Sequence, residues 1–115
     1  MKVQETIRED GLHIISGRIP SKKVYMKLLA KVGSAYDQPD KRGLFHYFEH
    51  MAFKGTSNRT LQDIISFSRR NVLARNAYTG RIETGYWGEA VARKFPLLCE
   101  FLCDIFLIPY FLKKK

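Results

Sequence analysis

Among the side chains of this sequence, His46, Glu49 and His50 are those whose types and spacing point most directly to chemistry. Two of the chain's three histidines stand four positions apart with a carboxylate between them. On a helix of 3.6 residues per turn such positions project from one face, one turn apart, so two imidazoles can reach a single ion. Glu49 falls on the flank of that face. There it could take a proton from a metal-bound water without being a ligand itself, the division of labour a hydrolytic zinc site needs. The spacing His-x-x-Glu-His is the inverted form of the His-Glu-x-x-His zinc helix. A short pattern also arises by chance, and paired helical histidines also occur as ordinary surface or core residues. On these three residues alone both readings stay open.

The element that must carry them is read as a helix within Gly43–Thr56, reached through a polar loop, Gly33–Gly43, with Pro39 inside it. Ahead of the loop, Thr6–Arg8, Asp10-Gly11 and Leu12–Ile15 read as a hairpin, with Asp-Gly supplying the positive backbone angles of a tight turn. His13 lies inside its second strand and is read as structural. From Val24 to Val32 apolar and mixed residues alternate, which predicts a strand with one apolar face. Beyond the histidine helix, Thr60 with Asp63 three residues on forms a capping box that opens a second helix, with Leu61, Ile64, Ile65 and Phe67 on its buried side. Strands are expected over Val72–Thr79 and Ile82–Val91. Pro96 opens a last helix, with Leu97, Leu98, Phe101, Leu102, Ile105 and Phe106 as its apolar residues. The apolar segment Phe95–Leu112 is a poor membrane span, because Glu100 and Asp104 would lie mid-bilayer and Pro109 interrupts it.

With 115 residues, 45% of them hydrophobic, the chain fits one domain with a modest core. A net charge of +9 raises the question of an acidic partner. The lysines and arginines are scattered, the only longer run is Lys113–Lys115, and no nucleic-acid-binding signature accompanies them. A solvated basic surface is expected, with no nucleic acid and no membrane span. Cys99 and Cys103, four apart in an apolar stretch, read as small core residues. Met1–Gly11 is polar with no apolar run, so a cytoplasmic, reducing location is expected.

The flanks of the histidine motif carry a resemblance. Gly43-Leu44-x-His46-x-x-Glu49-His50-Met51-Ala52-Phe53-Lys54-Gly55-Thr56 resembles the active-site stretch of the pitrilysin and insulin-degrading-enzyme (insulinase) family, most like its mitochondrial-processing-peptidase branch. Further matches keep the family's order: Asp10-Gly11-Leu12, Gly33-Ser34, Asn76-Ala77-Tyr78-Thr79 with Thr84 and Tyr86, then Pro96, Glu100 and Asp104-Ile105, with Pro109 and Phe111 at the helix end. The resemblance implies zinc, with His46 and His50 as ligands and Glu49 as the base that activates water for peptide hydrolysis. It also implies that Asn76 and Ala77 hold a peptide substrate as an added strand, which suits an exposed edge; Asn76 could equally tie its strand to the neighbouring helix.

The family's third zinc ligand is a glutamate on a later helix, which the resemblance does not reach; Glu83, Glu89, Glu100 and Asp104 do not match it. Val72 and Leu73 stand where relatives have glycines, and Gly88 interrupts the last strand. The expected architecture is α+β, with helices packed on one face of a mainly antiparallel sheet, a single truncated amino-terminal metallopeptidase domain over residues 1–115. The expected function is that of a zinc metalloendopeptidase acting on peptide or unfolded polypeptide with a second half or partner subunit, and inactive as this chain alone. The alternatives are a non-catalytic partner or scaffold subunit of a peptidase heterodimer, against which the intact motif argues, and a truncated orphan product.

Overall fold

A computed structural model describes residues 2–37, 39–40 and 42–107. The positions read at Pro109, Phe111 and Lys113–Lys115 lie outside the described residues.

The chain opens with a hairpin of β1 (Val3–Ile7) and β2 (His13–Gly17), antiparallel and exposed throughout. Its connection is the five residues 8–12. Gly11 N–H donates to Arg8 O at 2.9 Å and Arg8 N–H to Leu12 O at 2.9 Å. Gly11 alone takes a positive φ, +90°, and Asp10 does not. The Asp-Gly signal therefore marks a turn closed by one left-handed glycine, in place of a tight turn with positive angles at both residues. The Asp10 carboxylate accepts from Leu12 N–H at 3.2 Å. His13 is exposed on this hairpin, 3.8 Å from Glu5.

Three further strands form one antiparallel sheet in the order β3 (Lys23–Ala30), β5 (Thr84–Val91), β4 (Ala74–Thr79). Strands β4 and β5 each begin two residues later than the sequence pattern predicts. Val72 caps the helix before β4 in an extended conformation with φ −121°, which any side chain adopts, so no glycine is needed there. The register sets Leu28 and Ala77 on either side of Tyr86, and Met26 and Arg75 on either side of Gly88. Alternation then gives the sheet one covered face, with Val24, Met26 and Leu28 beside Tyr86 and Ala90, and one open face, where Tyr25 stacks on Trp87 at 5.8 Å between ring centroids.

Helices α1 (Leu44–Ala52), α2 (Leu61–Asn71) and α3 (Phe95–Leu107) lie on the covered side. The core is built by Ala52 from α1, Ile64 from α2, Tyr86 and Ala90 from β5, and Leu98, Phe101, Leu102 and Ile105 from α3. Gly88 does not interrupt its strand. A Cβ there would lie 2.9 Å from Leu98 Cδ1, so the missing side chain is what lets α3 settle on β5. Helix α2 opens with the capping box expected: Thr60 Oγ1 accepts from Asp63 N–H at 3.1 Å and Asp63 accepts from Thr60 N–H at 3.0 Å. Leu61 is 39% exposed, against expectation, and its first-turn neighbours Gln62 and Asp63 are exposed with it.

The loop between α1 and α2 is anchored on α3 by a buried charge. Asp104, its side chain 2% exposed, accepts from Thr56 Oγ1 at 2.7 Å, Asn58 Nδ2 at 2.9 Å and Arg59 Nη1 at 2.7 Å. Arg59 also pairs with Glu100 and lies over the rings of Phe67 and Phe101. A carboxylate this buried is tolerable because its oxygens are satisfied and its charge is paired. The two acids that spoke against a membrane span are thus the residues that fix the loop following the histidine helix. No helix among the described residues is long and apolar enough to cross a membrane.

Candidate metal centre

Helix α1 is set in place from both ends. At its start Gly43 has φ +83°, and its N–H donates to Asp37 Oδ2 at 2.8 Å, which turns the chain from the polar loop into the helix. At its end Ala52 enters the core and Phe53 packs on Tyr86 with ring centroids 6.0 Å apart. The Arg75 guanidinium lies 4.5 Å over the Phe53 ring and donates to Ser68 Oγ at 2.8 Å, joining β4 to α1 and α2.

His46 and His50 both stand exposed on this helix, His46 with 72% of its side chain accessible. Glu49 differs: only 17% of its side chain is accessible, because α1 packs on β4 at that point. Its Oε1 accepts a 2.8 Å hydrogen bond from Thr79 Oγ1 and lies 3.6 Å from His46 Nδ1. Thr79 faces α1 because it pairs with Thr84 on the covered side of the sheet. Tyr86 is close enough that the Glu49 charge, added to the larger effect of burial, pushes its phenol up to about 12. Tyr86 is otherwise enclosed, with Phe106 edge-on at 5.3 Å.

The donor set fits two positions of a zinc shell, since imidazole suits zinc and both rings are accessible on one helical face. Among the described residues, no group of three or more histidine, cysteine, aspartate or glutamate side chains is arranged to hold an ion. Glu83, Glu89, Glu100 and Asp104 do not join the pair: Glu83 bonds Tyr78, and Glu100 and Asp104 are engaged by Arg59.

Asn76 and Ala77 lie on β4, an edge of the sheet on the same strand as Thr79. Asn76 Oδ1 accepts from Ala77 N–H at 2.8 Å, so the amide at this position is covered by its neighbour's side chain. The roles of Thr79 and Tyr86 were not legible in the sequence. Both residues stand in the motif-bearing strands, but only strand pairing reveals that they face Glu49.

Residues 13–115 match the family Insulinase (Peptidase family M16). The chain belongs to that family. An M16 relative in Rickettsia bellii, called an uncharacterized zinc protease, is 36% identical over 98 residues, which is 84% of this chain and 24% of that protein. The mitochondrial-processing peptidase subunit beta of Mus musculus is 36% identical over 105 residues, 90% of this chain and 21% of its own length. The chain thus spans a quarter or less of the curated M16 relatives it matches. A crystal structure of a protease from Helicobacter pylori shares the fold, with a TM-score of 0.85 over 94% of this chain and 26% of the other, at 23% identity.

Proposed function

We propose that this M16 chain supplies the ligand pair, the proton acceptor and one substrate-facing edge of a zinc-dependent endopeptidase. The observation that carries the reading is Glu49, tied by Thr79 to the sheet while both neighbouring histidines stay exposed on one face of α1. His46 and His50 would hold the ion. Zinc, when bound, lowers the pKa of water and polarises the scissile carbonyl. With Oε1 engaged by Thr79, Glu49 takes the proton on Oε2 and returns it to the leaving amine. Ala77 would donate its N–H to the substrate backbone once the Asn76 side chain swings aside. The substrate is then an extended peptide or unfolded polypeptide.

A catalytic zinc ordinarily has three protein ligands and a water. We assign the third to the later-helix glutamate that the family resemblance implies and that these residues do not include, and propose weak zinc binding and little hydrolysis for the chain alone. We also place the chain in a reducing compartment such as the cytoplasm, where the free Cys99 and Cys103 remain thiols.

Zinc calorimetry on the chain and on His46→Ala tests this, followed by incubation with an unstructured peptide. Weak binding that needs His46, with no cleavage, is the expected result. Zinc binding indifferent to His46 would overturn the ligand assignment. Tight binding with cleavage that Glu49→Gln abolishes would instead show that the chain completes its own site.

A further inference from the structure

The end of the three-stranded sheet away from the histidine pair gathers basic side chains from three separate pieces of chain. Arg69 and Arg70 lie in the last turn of α2, Arg93 and Lys94 in the turn between β5 and α3, and Lys22 and Lys23 at the start of β3. Backbone and side-chain bonds hold these pieces together. Ala92 N–H donates to Lys22 O at 2.8 Å, Lys23 pairs with Val91, and Lys94 Nζ donates to Arg70 O at 2.6 Å. Lys94 thereby satisfies the carboxyl end of α2. Among the described residues none of the other five makes an ion pair. Glu89, half-buried on the open face of the sheet between Tyr25 and Ala74, is the only acidic residue in these segments. Folding therefore concentrates like charge that is dispersed in the sequence, which is unfavourable without an anionic partner.

The same end exposes large apolar side chains. Leu73 is 56%, Phe95 44% and Leu97 42% exposed, at the start of β4 and of α3. Phe95 follows Arg93 and Lys94 directly, so exposed apolar groups lie at the same end of the molecule as the cations. A nucleic-acid surface would use open aromatic faces or a groove-reading helix; here Phe95 stands with two leucines, and the ring of the neighbouring Tyr25 is already stacked on Trp87. Lysine and arginine beside phenylalanine and leucine is the composition that binds the boundary between headgroups and acyl chains.

We propose that this end docks peripherally on an anionic lipid surface, with Phe95, Leu97 and Leu73 entering the boundary and the cations meeting lipid phosphates. Strand β4 has 6 residues, roughly 17 Å of extended chain, and its far end carries Thr79 against Glu49. A chain docked this way presents the histidine pair to the aqueous side.

Flotation of the 115-residue chain with phosphatidylcholine vesicles, with and without phosphatidylserine, tests the proposal. Flotation separates bound protein, which rises, from aggregate, which sinks. The chain is expected to rise with the anionic vesicles only, and less so at high salt. Lys22→Gln combined with Arg93→Gln should lower the partition about 25-fold, at roughly fivefold per cation, and Phe95→Ser with Leu97→Ser should lower it about tenfold. Arg8→Gln with Lys27→Gln, equal in charge but placed elsewhere, should change it less than about twofold. Circular dichroism checks that each variant is folded. Equal flotation with both vesicle types, an equal loss in the control pair, or retention of a DNA duplex or single-stranded RNA without vesicle binding would each overturn the proposal.

Discussion

Thr79 Oγ1 donates a 2.8 Å hydrogen bond to Glu49 Oε1, joining the last residue of β4 to the helix that bears both exposed histidines. It is the one polar tie of the carboxylate to the sheet among the described residues, and it makes the carboxylate's orientation a property of the tertiary fold.

Thr79→Val removes the donor while keeping the shape. A hydrogen bond to a charged group is worth about 1.5–3 kcal/mol. Urea unfolding should show a loss of that size for Thr79→Val and under half of it for Thr79→Ser. Equal losses in both variants would mean that packing, and not the hydroxyl, holds the two elements together.

Asp104→Ala leaves Thr56 and Asn58 facing a cavity without their acceptor, and Arg59 with Glu100 alone. Breaking a buried, paired charge costs about 3–5 kcal/mol, a large part of the ~5–15 kcal/mol that holds a domain folded. The expected outcome is a chain largely unfolded near 37 °C by circular dichroism. Full retention of the folded signal would show that the network is dispensable.

Burial, reinforced by Glu49, pushes the Tyr86 phenol up to about 12. The unfolded chain ionises this group near its ordinary value of 10.0, before the folded chain does. Its contribution to stability is therefore fully present below pH 10 and is lost as pH rises through about 12. Tyr86→Phe should flatten that part of the stability profile in urea titrations between these limits. An unchanged alkaline slope would contradict the placement of Tyr86 in the core.

Gly88→Ala would place a methyl group 2.9 Å from Leu98 Cδ1, with Leu102 Cδ1 at 3.5 Å behind it. Overpacking of this kind costs about 1–3 kcal/mol. A lowered midpoint in thermal unfolding is expected, and Leu98→Ala in the same chain should recover part of the clash while adding a cavity of its own. A stabilised Gly88→Ala would mean that α3 stands off from β5.

Much of this structure is local and so was legible residue by residue. The capping box at Thr60 and Asp63, the histidine helix within Gly43–Thr56, the alternation along β3 and the apolar periodicity of α3 each depend on residues within a turn or a pleat of one another. Chain-local sterics and side-chain period suffice to specify them. The spacing of His46, Glu49 and His50 belongs to the same class, because helical geometry alone puts them on adjoining faces. The structure departs from the sequence pattern at element ends and turns: the starts of β4 and β5, the single left-handed glycine of the hairpin, and the exposure of Leu61.

What the tertiary structure alone decides is everything that depends on strands meeting. The order β3, β5, β4 places Thr79 beside Thr84 and hence toward Glu49, sets Gly88 beneath Leu98, and brings Lys22, Arg70 and Lys94 together from distant positions. Register is set by which faces can be buried together, a condition on the whole sheet that no window of sequence contains. The sequence by itself determines that a histidine pair and a carboxylate share a helix. Only the sheet determines which residue orients that carboxylate and which end of the molecule collects the positive charge.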